Sequence, residues 1–124
     1  MPFGKIKDEQ KEVIDPAVQG TKYVLDACKE HKVKRVVLTG SGLSAMALDK
    51  KKDLYDENDF TREAMIGDAY GRSKILAEKL AWEYHRHLSE EERFDLIVML
   101  PCVIQGPPLT RTDSASMKSI KSML

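Results

Sequence analysis

The sequence predicts an α/β protein, part of a doubly wound parallel sheet. Three observations point there: two short β-branched apolar runs, a long amphipathic segment between them, and a Gly-Ser-Gly turn closing the first run. A helix lying between two apolar strands is a βαβ crossover, which joins parallel neighbours. Two strands cannot by themselves cover both faces of a parallel sheet or satisfy its edges. Residues 1–124 are therefore expected to form one partial domain, a middle piece of a larger sheet.

Each element has its own signal. Residues 8–31, "DEQKEVIDPAVQGTKYVLDACKEH", carry Val13, Ala17, Val18, Val24, Leu25 and Cys28 in a broken 3.6-residue period, the mark of a helix with one buried stripe. Pro16 is expected to kink or restart that helix, with Asp15 as its N-cap. "KVKRVVLTG" then places a buried strand at 36–39. Residues 46–66 show no period of 2 or 3.6 and are expected to form a long surface excursion beside the sheet's C-terminal edge. A helix returns over 69–88, with Leu76, Leu80, Tyr84 and Leu88 at i+4 intervals, Ala77 and Ala81 beside them, and Lys79, Glu83 and Arg86 on the outer face. "FDLIVMLPCVIQGPP" supplies a second strand at 96–100, stopped by Pro101. The tail begins another helix, capped near Asp113 or Ser114, with Met117, Ile120 and Leu124 on one side.

Composition excludes several function classes. Twenty basic and twenty acidic residues give a net charge of zero, so there is no electrostatic footprint for nucleic acid or anionic lipid. Lys50, Lys51 and Lys52 lie between Asp49 and Asp53 and read as a solvated loop. No apolar run reaches the ~18 residues of a membrane span, and cytoplasmic localisation is the default expectation. Cys28 and Cys102 have no metal-ligand spacing and read as buried reduced thiols. His85 and His87, two apart on a helix, cannot share a metal, so no metal site is expected.

The stretch "RVVLTGSGLSAMALDK" raises the functional question, because Gly40, Gly42 and Ala45 match the spacing of a dinucleotide phosphate loop. That loop must lead directly into a helix whose amides face the pyrophosphate, followed by a strand ending in an acidic residue. "MALDKKKDLYDEND" supplies neither. A nucleophile elbow needs glycines two before and two after its serine, whereas here they adjoin Ser41. The remaining reading pairs Ser41 with "YGRSK" at 70–74. On a helix Tyr70 and Lys74 are one turn apart, so phenol and ammonium emerge together, and a fixed cation favours the phenolate. Such a tyrosine can donate or accept a proton during carbonyl reduction with a nicotinamide cofactor. Tyr-x-x-x-Lys alone is a weak signal. Position adds weight, because a serine at a strand end and a tyrosine at a helix start converge where α/β sheets bind ligands.

At this point the sequence resembles the extended short-chain dehydrogenase/reductase family, within the NAD-dependent epimerase/dehydratase superfamily. It is most similar to the dihydroflavonol reductase and cinnamoyl-CoA reductase-like branch. The resemblance is carried by "EVIDPAVQGTKYVLDACKEHKVKRVVLTGSGLSA", "YGRSKILAEKLAWEY" and "FDLIVMLPCVIQGPPL", in the family's order. It implies a Rossmann-like fold and an NADP or NAD cofactor. By the same resemblance Ser41 orients the substrate oxygen, Tyr70 is the general acid/base, and Lys74 holds the nicotinamide ribose. Thr39 and the turn Pro101, Cys102 and Val103 would line the cofactor. Ser44 is the reserve candidate for the serine, and Ser73 reads as a helix-packing residue.

The chain also departs from the family pattern. The family's N-terminal glycine-loop half and its C-terminal substrate region have no counterpart in this sequence, so the chain is expected to be inactive alone. Gly40 stands where relatives usually have serine or another small residue. Ala17 replaces an asparagine of epimerase-type relatives, which favours the reductase branch over the sugar epimerases; within the family, a 3-beta-hydroxysteroid dehydrogenase or a sugar epimerase/dehydratase is the alternative. The expected partner is a small carbonyl or alcohol substrate, with self-association into a homo-oligomer left open. The competing reading is a non-enzymatic truncated product or interaction module that pairs its open strand edge. Substrate identity and the choice between NAD and NADP are not legible.

Overall fold

A computed structural model describes residues 6–46, 52–61, 66–106 and 115–122. The chain opens with a π-helical turn at Gln10–Ile14 that passes without a break into helix α1, Asp15–Glu30. Pro16 sits in the first turn of α1, directly after Asp15 N–H closes the π turn by donating to Gln10 O, so its ring falls where the bonding pattern changes from π to α. Asp15 is thus the first α-helical residue and not the expected cap, and the preceding residue, Ile14, is itself helical. The wider π turn absorbs the proline where a kink was expected.

Strand β1, Arg35–Thr39, follows, then a 3₁₀ turn at Gly42–Ser44. Helix α2, Ala69–Arg86, crosses to strand β2, Asp95–Met99, which pairs parallel to β1 with Arg35 opposite Asp95 and Thr39 opposite Met99. Pairing runs past the strand ends: Gly40 N–H donates to Met99 O at 2.8 Å and Gly42 N–H to Pro101 O at 3.0 Å. Both strands lie within a residue of their expected bounds. A short helix α3, Ala115–Lys121, closes the described chain. Asp113, Ser114 and Leu124, expected to cap and flank it, lie outside the described residues.

The core lies on one side of the sheet. Leu25 of α1, Ala81 of α2, Leu88, Phe94 and Leu96 form a buried cluster, against which Val36, Leu38 and Val98 pack from the strands. The opposite sheet face stays open, with Val37, Ile97 and Met99 exposed. Period-2 alternation therefore covers only the helix-facing side. Val24 of the expected stripe is exposed as well, because it points away from the sheet and α2. The buried face of α2 is set by Ser73, Ile75, Ala77, Glu78 and Ala81, while Leu76 and Leu80 are only half-buried.

The described part of 46–66 carries no strand or helix beyond single turns, as expected, yet it is anchored. Asp59 and Thr61 are buried, Lys52 pairs with Asp59 at 2.6 Å, and Thr61 N–H donates to Ser44 O at 2.7 Å. Lys50 and Lys51 lie outside the described residues. Among the described residues no helix is long and apolar enough to cross a membrane.

Candidate functional site

The C-terminal ends of β1 and β2 and the first turns of α2 surround one cleft of about 630 Å³. Its lining includes Thr39, Ser41, Tyr70, Lys74, Pro101, Cys102 and Val103, so every residue expected from the sequence is gathered there. Chain topology explains the gathering. Parallel strands deliver their C-terminal ends to the same edge, and the connecting helix starts beside that edge.

Ser41 stands two residues past the end of β1 in extended backbone, and its Oγ accepts from Leu43 N–H at 3.3 Å. That bond uses an oxygen lone pair and leaves the hydroxyl hydrogen available to donate. The 3₁₀ turn after it replaces the helix that a phosphate loop would require. Gly42 makes room for Cys102 at this point, because a Cβ would lie 2.5 Å from Cys102 Sγ and displace that side chain. Ser44 is fully buried and is not among the cleft residues.

Tyr70 is held by the α2 cap. Asp68 Oδ1 accepts from Gly71 N–H at 2.8 Å, and Ser73 Oγ donates to Tyr70 O at 2.7 Å. Gly71 is packed too tightly for a side chain, since a Cβ would meet Ile66 Cγ2 at 2.3 Å. Lys74 Nζ lies 5.9 Å from the Tyr70 ring centroid, within cation–π range. Phenol and ammonium therefore share one helix face, and both are half-buried.

Cys102 lines the cleft as expected but is exposed where a buried thiol was expected, because the turn after β2 leaves the packed side of the sheet. Cys28 is half-buried, and both cysteines are free thiols. Leu43, Met46, Ile104 and Ser116 also line the cleft and carry no sequence signal of their own. Ser116 arrives with α3, far along the chain. His85 Nε2 meets Phe94 O at 2.7 Å and His87 Nδ1 meets Glu83 O at 2.7 Å, so the two rings serve separate partners. Among the described residues no group of His, Cys, Asp or Glu could hold a metal ion.

Residues 2–124 match the model of the 3-beta hydroxysteroid dehydrogenase/isomerase family. The chain belongs to this family. Among its relatives, cinnamoyl-CoA reductase 1 of Arabidopsis thaliana is 35% identical over 96% of this chain and 35% of the relative. Dihydroflavonol 4-reductase of the same plant is 37% identical over 84% of this chain and 28% of the relative. A yeast methylglyoxal/isovaleraldehyde reductase, Gre2, solved with NADPH, superimposes with a TM-score of 0.74 at 32% identity, covering 88% of this chain and 36% of that one. The chain spans about a third of the length of these relatives. Its family, its reductase-like branch and its Rossmann-type α/β fold follow from these matches.

Proposed function

We propose that the chain carries the acid–base segment of an NAD(P)-dependent oxidoreductase that interconverts a carbonyl and an alcohol. The observation that carries this reading is the convergence of Ser41, Tyr70 and Lys74 on one cleft at the C-terminal strand edge. The family match and the NADPH-bound neighbour support it. The donor set fits such a cofactor. Thr39, Tyr70 and Lys74 offer hydroxyl and ammonium groups to a ribose, and Pro101, Cys102 and Val103 offer a flat wall to a nicotinamide ring. Gly42 leaves clear the space that a side chain would fill.

The bound cofactor supplies the hydride that reaches the carbonyl carbon. Ser41 donates its free hydroxyl hydrogen to the carbonyl oxygen and orients it. Tyr70 delivers the proton to that oxygen, and Lys74 stabilises the charge developing on the phenol oxygen as the proton leaves. In the oxidative direction the same proton returns to Tyr70.

The test is a graft. Residues 2–124 replace the matching third of Arabidopsis cinnamoyl-CoA reductase 1, and NADPH-dependent reduction of cinnamoyl-CoA is followed. Turnover is expected, with Tyr70→Phe lowering kcat about 10²-fold or more at unchanged circular dichroism. Equal rates for Tyr and Phe overturn the assignment. The chain by itself is titrated with NADPH in parallel; saturable binding that weakens in Lys74→Ala supports the cofactor site.

A non-enzymatic interaction role is favoured by one observation, the open apolar sheet face of Val37, Ile97 and Met99. A folded, NADPH-blind chain that sediments as a defined oligomer would support that role instead.

A further inference from the structure

Glu78 is used by none of the chemistry above, yet it is among the least expected residues in the fold. It lies on the buried face of α2, only 5% exposed. Its Oε1 accepts from Trp82 Nε1 at 3.3 Å, while Oε2 is buried and has no hydrogen-bond partner among the described residues. No ion pair to Glu78 occurs among the described residues. A carboxyl oxygen shielded from water without a donor is costly, and native folds keep such groups only where something local requires them.

Two features of its surroundings indicate what that is. Tyr70, Lys74, Glu78 and Trp82 follow at four-residue intervals, so they form one stripe along α2. Tyr70 and Lys74 occupy the cleft end, and Glu78 is the next step down. Its Oε2 also lies beside the end of β1, since a Cβ built on Gly40 would be 3.3 Å from it. The same Cβ would meet Val98 Cγ1 at 3.0 Å and Leu100 Cδ2 at 2.8 Å, so Gly40 is closed in between α2 and β2. Its amide cannot serve Glu78, because it already donates to Met99 O at 2.8 Å. The next residue is Ser41.

We propose that Glu78 is a positioning residue: lying beside Gly40, its carboxyl group sets where β1 ends relative to the Tyr70–Lys74 stripe, and so where Ser41 Oγ stands. This rests on the reading of Ser41, Tyr70 and Lys74 as the acid–base site. The contact ties the serine-bearing turn directly to the helix that carries the other two groups. It acts at the start of the turn, ahead of the points where Leu43 packs beside Gly71 of α2 and Ser44 O accepts from Thr61 N–H.

The test uses the 124-residue chain without cofactor or substrate, so its result is separate from that of the Tyr70→Phe graft. Amide ¹H–¹⁵N shifts are compared among the wild type, Glu78→Gln and Glu78→Leu. The leucine variant is expected to displace the Ser41, Gly42 and Leu43 signals while leaving Leu25 and Phe94 in place, and the isosteric glutamine to restore them. Displacement spread evenly through the core, or none at Ser41, overturns the proposal, because a merely structural role would produce either. Gly40→Ser adds a hydroxyl within reach of Oε2. The drop it causes in the folding equilibrium constant, read by urea unfolding, is expected to be at least tenfold smaller in the wild-type background than in the Glu78→Leu background; additive effects overturn the proposal. Should the leucine variant fail to fold, Gly40→Ser against Gly40→Ala decides. Serine is expected to be better tolerated by at least fivefold, and equal cost overturns it.

Discussion

Tyr84 shows how a single side chain can carry a pH signature that no motif advertises. Burial and a hydrogen bond to Asp26 push its phenol up from the usual value near 10 to about 12. The fold therefore retains a proton that the unfolded chain has already lost between those values, and stability must fall as pH rises through that window. Urea midpoints are expected to decline from pH 10 toward pH 12 in the wild type, and to decline less in Tyr84→Phe. Coincident curves for the two proteins would remove Tyr84 as the cause. Asp26 behaves in the opposite sense: Lys22 and Tyr84 hydrogen bonds hold its carboxyl below the usual range, so its contribution is present near neutrality and is lost in acid.

At the scale of elements, α2 matters most, since it delivers both Tyr70 and Lys74 and its first turn is held by one side chain. Asp68 caps Gly71 N–H at 2.8 Å, and no acidic residue in the first turn backs it up. Asp68→Ala is expected to cost about 1 kcal/mol in urea unfolding. It should also broaden the Tyr70 amide signal more than that of Tyr84 at the other end of the helix. The π turn before α1 is a second element-level device. It brings Val13 and Ile14 inward, both buried, and the Arg72–Glu9 ion pair ties this N-terminal segment to α2.

The whole molecule is one-sided. Helices α1 and α2 bury one sheet face, and its alternation partner is open, so equal-sized apolar residues differ in worth by position. Leu25 is 1% exposed, and Leu25→Ala is expected to cost about 2–5 kcal/mol. Ile97, on the open face at 42% exposure, should tolerate Ile97→Thr within about 0.5 kcal/mol. Chemical denaturation of the two variants measures both; a large loss at Ile97 would mean that the open face is covered in solution.

The sequence by itself determined the order of elements and the parallel crossover, and it singled out Ser41, Tyr70 and Lys74 as the candidate set. Those depend on local period, turn residues and one-turn spacing, which act over a few neighbours. Only the tertiary structure decided that Cys102 is exposed and not buried, that Asp15 lies inside a continuous helix, and that Ser116, Met46 and Ile104 join the cleft. It also revealed Glu78 against Gly40, 38 positions away in the sequence. Such contacts arise from packing between elements remote in the chain, and pattern within a short window carries no trace of them.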